Sequence, residues 1–185
     1  MGNLDWVPVA PTQQNRGFAT TGHHMVKHSP GFAANRARIS LALSRFTVPM
    51  LSRIYGAFNG DMIAALVLGE IAHRNVEAWL SDPANAEDAL HQPEVREQLM
   101  RPCNALSIAE ACKLPRETVR RKVVQLIAQG YVYRNERGHL YLTQGVGDDF
   151  EDMTVQTVEH LLSTAATLQG LLREQMAPVT PSPGE

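Results

Sequence analysis

The stretch from Ser107 to Thr143, SIAEACKLPRETVRRKVVQLIAQGYVYRNERGHLYLT, constrains the fold more than any other part of the chain. Ser107 with Glu110 three residues on has the form of a capping box, in which hydroxyl and carboxylate each satisfy an orphan N–H at a helix start. The short helix so opened presents Ile108, Ala109 and Cys112 to a core and stops at Lys113-Leu114-Pro115. Pro115 suits the boundary or first position of a second helix, where its missing N–H costs nothing. That helix runs from Arg116 to about Gln129, with Val119, Val123, Leu126 and Ile127 as an apolar stripe at three- and four-residue spacing. Arg116, Glu117, Arg120, Arg121 and Gln125 fall on its other faces. Gly130 ends it where a left-handed cap is wanted. Two short strand-like runs follow, 131–134 and 139–143, and Asn135-Glu136-Arg137-Gly138 between them has the composition of a hairpin turn.

Two helices with a tight turn, then a hairpin, make a winged helix-turn-helix. The segment resembles the DNA-binding domain of bacterial winged-helix transcriptional regulators of the MarR and GntR kind. IAEACKLP, 108–115, stands where those proteins carry a pattern like LAexLGLS, and ETVRR, 117–121, where they carry xTVRR. Lys113 stands where Gly is usual, so the turn must tolerate a less comfortable backbone. Pro115 replaces the usual Ser, which deprives the second helix of a side-chain cap. The likeness spans about a fifth of the chain. It implies a sequence-specific regulator of double-stranded DNA whose second helix enters the major groove. Arg116, Glu117, Arg120 and Arg121 would lie nearest base edges, arginine suiting guanine and glutamate the cytosine amino group. Thr118, Lys122 and Gln125 on the same helix, and Arg134, Arg137 and His139 on the wing, would complete the contact with phosphates or the minor groove.

Charge follows the same map. Arg101 to His139 carries eight Lys or Arg against three acids, a local +5 in a chain of net −2. Residues 59–100 and residues 148–185 each sum to −6, and the segment before residue 59 to +5. A duplex is a polyanion, and phosphate neutralisation with counterion release supplies most non-specific affinity.

The remaining chain reads as appendages to this module. Residues 1–38, rich in Gly, Pro, Thr, Asn and Gln, are expected to form a flexible arm, and His23, His24 and His28 a polar stretch rather than a metal site. Its arginines could lie along phosphates. Residues 39–100 form a helical region. Ile39 to Phe58 should be helical in two pieces, broken at Pro49. Asp61 is an N-cap for a helix from Met62 to Leu80, apolar nearly all round in its first half and so expected in a buried position. His73, Arg74 and Trp79 could line a pocket for a small-molecule effector, although a packed helix end with a partly exposed Trp is the plainer expectation. A loop over 81–89 and a short helix from Pro93 to Met100 lead to the winged module, 101–144.

Asp148 with Glu151 repeats the pattern of a cap acceptor and an acid. The helix from about Asp149 to Gln175 sets Val158, Leu161, Ala165, Leu168 and Leu172 on one side. This C-terminal helix, 148–176, must bury that side, and a homodimer is favoured because such regulators read two half-sites. Residues 177–185 read as a disordered tail.

No Gly-rich phosphate loop, metal-spaced Cys/His cluster or G-x-S-x-G nucleophile motif is present, which argues against an enzyme and against any cofactor. Cys103 and Cys112 are too few for a disulfide framework and fit a reducing cytoplasm, and Cys112 occupies a core position rather than that of a redox switch. No run is long enough to span a bilayer and no signal peptide is visible, so a soluble, cytoplasmic protein is expected. The fold class expected is mainly α with a small β-hairpin. The competing functions are a protein-interaction module on the same scaffold and a non-specific, nucleoid-type DNA binder.

Overall fold

The computed structural model describes residues 30–80 and 98–173. The described residues are mainly helical with one small antiparallel sheet: α1 (Pro30–Ala34), α2 (Arg36–Ala57), α3 (Met62–Leu80), α4 (Ala105–Cys112), α5 (Arg116–Ala128), β1 (Val132–Arg134), β2 (Leu140–Leu142), α6 (Val146–Asp149) and α7 (Glu151–Arg173). The histidines 23, 24 and 28, the loop 81–89, most of the helix expected from Pro93, and the tail 177–185 lie outside the described residues. The described residues divide into two compact units, one within residues 30–45 and 162–173, the other within residues 46–80 and 98–161.

The first unit holds a contact the sequence did not announce. Residues 30–38, expected to belong to the arm, carry α1 and the start of α2. Asn35, 5% exposed, donates from Nδ2 to the Leu171 carbonyl at 2.9 Å, satisfying one of the orphan acceptors in the last turn of α7. Gly31 lies so close to the Leu171 and Leu172 carbonyls that a Cβ there would collide with backbone.

In the second unit α2 runs unbroken through Pro49, contrary to the expected break. Proline removes one ladder bond and crowds the carbonyl four residues back, a local cost of about 3 kcal/mol, and cooperative propagation on both sides carries the helix across it. At the end of α2, Gly60 N–H reaches the Tyr55 carbonyl at 2.7 Å and Asn59 N–H the Gly56 carbonyl at 3.1 Å, with Asn59 and Gly60 both left-handed. This is the Schellman closure. Asp61 then caps α3 as expected, its Oδ1 accepting from Ala64 N–H at 3.0 Å. One face of α3 is buried through Ala64, Val67, Leu68 and Ile71, but Leu66 is 58% exposed, so burial is one-sided rather than all round.

The start of α4 also differs. Its cap is Asn104, whose Oδ1 accepts from Leu106 and Ser107 N–H at 3.0 Å each, while Ser107 Oγ accepts from Asn104 N–H at 3.2 Å. Ser107 is thus the reciprocal partner of the box and Glu110 a helical surface residue. Asn ranks with Ser as a cap, and the earlier residue won.

Helix α4 closes with Lys113 at φ 54°, Leu114 N–H reaching the Ala109 carbonyl at 3.0 Å. Helix α5 closes in the same way with Gly130 at φ 80°, Tyr131 N–H reaching the Leu126 carbonyl at 3.0 Å. Pro115 sits at the cap of α5 with no side-chain hydrogen bond.

Strands β1 and β2 pair in the register Val132↔Leu142, Tyr133↔Tyr141, Arg134↔Leu140, and Cys103 adds an isolated antiparallel bridge to Leu140. The core is closed by Ile108 of α4, Val119, Val123 and Leu126 of α5, and Val132, Leu140 and Leu142 of the hairpin against α3. Asn75 of α3 lies wholly inside it. Its Nδ2 donates to the carbonyls of Arg101 (2.9 Å) and Leu140 (3.2 Å), and its Oδ1 accepts from Leu142 N–H (2.9 Å). One carboxamide therefore ties the lead-in to α4 and strand β2 to α3.

Phe58, Tyr131 and Phe150 form an aromatic cluster, Phe58 and Phe150 stacked with centroids 5.5 Å apart. Phe150 also separates α6 from α7, so Asp148 lies within a short helix instead of capping the long one.

Candidate nucleic-acid interface

Burying Val119, Val123 and Leu126 fixes which side of α5 faces solvent. At the three- and four-residue spacing of a helical surface, that side carries Arg116, Glu117, Arg120, Arg121 and Val124, all exposed. Arg120 makes two bonds to Glu117, Nη2 to Oε1 at 2.8 Å and Nε to Oε2 at 2.9 Å. That hydrogen bond holds the Glu117 carboxyl below its ordinary range. Arg116 and Arg121 have no ion-pair partner among the described residues.

Two expected contacts are turned elsewhere. Lys122 Nζ bonds Asp61 Oδ2 and also reaches Gln125 Oε1 at 3.2 Å, and its side chain is only 20% exposed. Burial alone would raise the Asp61 pKa. The bonds from Lys122, the Ala64 N–H and Gln125 outweigh it and hold the carboxyl below its ordinary value. Asp61 thus caps α3 with one oxygen and holds α5 with the other. Lys122 and Gln125, expected among the DNA contacts, are thus engaged within the fold: an apolar stripe tells which side is buried, not that a lysine at its edge will fold back on a cap. Thr118 is half-buried beside the core.

The hairpin tip is held in shape by its own turn. Asn135 Oδ1 accepts from the N–H groups of Arg137 (3.1 Å) and His139 (3.0 Å), and left-handed Gly138 donates to the Asn135 carbonyl at 2.9 Å. Arg134 and Arg137 are exposed and His139 is half-buried. Tyr133 and Tyr141 stack across the strands at 5.5 Å. They line a groove of about 760 Å³ with Met100, Pro102, Arg137 and His139.

The effector residues do not converge on a site. His73 is exposed, Arg74 is bonded to Glu70 at 2.7 Å, and Trp79 is 7% exposed, more buried than expected. Burial pushes the Cys103 thiol up to about 11, and Cys112 is raised for the same reason, so neither is an activated nucleophile. No group of three potential ligands for a metal ion occurs among the described residues.

Two features escaped the sequence reading. Val124 is 52% exposed on the arginine side. Its place four residues after Arg120 and three after Arg121 was a usable signal, masked by the adjacent Val123. Asn75, mid-helix and polar, gave no sign that it would be buried. No family model, curated protein or solved structure matches the chain. No single helix among the described residues is long and apolar enough to cross a membrane.

Proposed function

We propose that this protein is a sequence-specific DNA-binding transcriptional regulator with a winged helix-turn-helix, α4 and α5 forming the helix-turn-helix and β1–β2 the wing. The observation that carries the reading is the arginine face of α5. Arg116, Arg120 and Arg121 stand on one exposed side of a helix whose other side is locked into the core. Such a helix presents a rigid cationic edge suited to the major groove. The hairpin supports the reading by holding Arg134 and Arg137 exposed, available to phosphates or a minor groove. Asn75 and the Lys122–Asp61 pair favour precision, because they fix hairpin and α5 to the same helix.

The regulator acts as a homodimer in the cytoplasm. Exposed Leu51 and Tyr55 of α2, and Val158 and Leu161 of α7, offer apolar surface for a second copy, and two copies fit a palindromic site. Selection from random genomic fragments, with a salt series on the enriched sequence, tests the reading. A short palindrome with a steep fall of affinity as salt rises is expected. Retention without sequence preference would replace it with a nucleoid-type binder, and no retention at low salt with a protein-interaction module.

A further inference from the structure

We infer that Val124 reads the 5-methyl group of a thymine, so that each half-site places a thymine within about two base pairs of the guanine taken by Arg121; this rests on the DNA-binding reading above. Val124 is the large apolar side chain that α5 exposes, at 52%, and it sits among the arginines rather than beside the core. It follows Arg120 by four residues and Arg121 by three, which places all three on one surface of the helix. An apolar contact with a second copy of the chain is disfavoured there, because it would bring two arginine faces together. A polyanion has the opposite preference. The apolar group that a duplex displays on its major-groove edge is the thymine methyl.

Spacing fixes the register. Three residues of α-helix advance about 4.5 Å along the axis. One base step is about 3.4 Å, so the thymine falls within about two base pairs of the guanine. The Glu117–Arg120 pair lies one turn back on the same face, and Arg121, which has no such pair, is the arginine within one turn of Val124 that is left to discriminate.

The test uses the full-length protein and the fragment enriched in the selection, with each thymine replaced singly by uracil, which differs only in lacking the methyl. At one position the wild type should bind about four-fold more weakly, the effect of leaving one methyl group unburied. Val124→Ala should bind the thymine and uracil forms equally at that position, and Val124→Ile should keep the preference. Val124 is half exposed and alanine is the better helix former, so an unchanged melting curve is expected for the alanine variant. A wild type indifferent to every uracil overturns the inference, as does a uracil effect that persists in Val124→Ala; in both cases the regulator reading stands. Failure to enrich any sequence removes that reading and this inference with it.

Discussion

The α3–α4–α5–hairpin core and the helix α7 treat apolar side chains in opposite ways. In the core, Ile71, Ile108, Val119, Val123 and Leu126 are fully buried, and the one polar residue among them, Asn75, has its amide and carbonyl bonded. Helix α7, of 23 residues, buries none completely: Val155, Val158, Leu161 and Leu162 stand between 47% and 66% exposed. The first region is saturated within one chain; the second has apolar surface left over. Charge divides them again, with arginines on the exposed face of α5 and Glu151 and Asp152 opening α7, where the helix dipole favours acids. On the proposed function, the contrast separates a module that would read DNA from an element that would associate.

The largest effect should come from breaking the saturated side. Asn75→Ala leaves the Leu142 N–H and the Arg101 carbonyl without their side-chain partner, and the Leu140 carbonyl with only the Cys103 thiol, at a cost of about 3 kcal/mol or more. Denaturant melting should register it in full, and DNA binding should fall with it as the hairpin loosens. Leu161→Glu probes the other side. The monomer's melting should barely change, while self-association measured by sedimentation weakens by about 2 kcal/mol, the burial of one leucine side chain. A melting loss equal to that of a core variant would mean that α7 is already satisfied within the chain.

Asp61→Asn is a smaller perturbation between the two regimes. Asparagine still caps α3, so the loss is the attachment of Lys122, about 1 kcal/mol. Because the folded Asp61 lies below the ordinary carboxylate value of 3.8, its contribution is fully present above the unfolded pKa. It disappears as pH falls through the folded one. The stability difference between wild type and variant should therefore narrow in acid, and a difference constant from pH 7 to about pH 2 would contradict the assignment. Lys113→Gly should move stability the other way. Gly130 and Lys113 close successive helices with the same hydrogen bonds, one without strain and one with a side chain at φ 54°. Relief of that strain should stabilise the fold by about 0.5–1 kcal/mol.

These residues also mark what a sequence can disclose. The turn at Lys113-Leu114-Pro115, the end of α5 at Gly130, the hairpin and the Asp61 cap were all legible, because each depends on one or two residues acting locally. The apolar stripe of α5 was legible because helical period and burial agree. Pro49 misled because its penalty is local while helix formation is cooperative. Ser107 misled because two good caps lie three residues apart and the backbone uses one. Long-range partners were beyond reach: Lys122 with Asp61, Asn75 with β2, and Asn35 with Leu171 join residues 61, 67 and 136 positions apart. Periodicity carries no information about such pairs. The exposure of Arg116, Arg120 and Arg121 followed from the buried stripe, while Lys122 and Gln125 beside them are engaged by bonds the stripe does not disclose.

The measurement that tests the central claim most directly is the salt dependence of DNA affinity for wild type, Arg137→Ala and Lys122→Met. If the exposed arginines meet the duplex while Lys122 serves the fold, the Arg137 variant should lower the slope of log affinity against log salt by about one, as loss of a single phosphate contact does. The Lys122 variant should leave that slope where it is, whatever it does to stability. A slope reduced by Lys122→Met and untouched by Arg137→Ala would place the phosphate contact at Lys122 instead of at the wing and contradict the account.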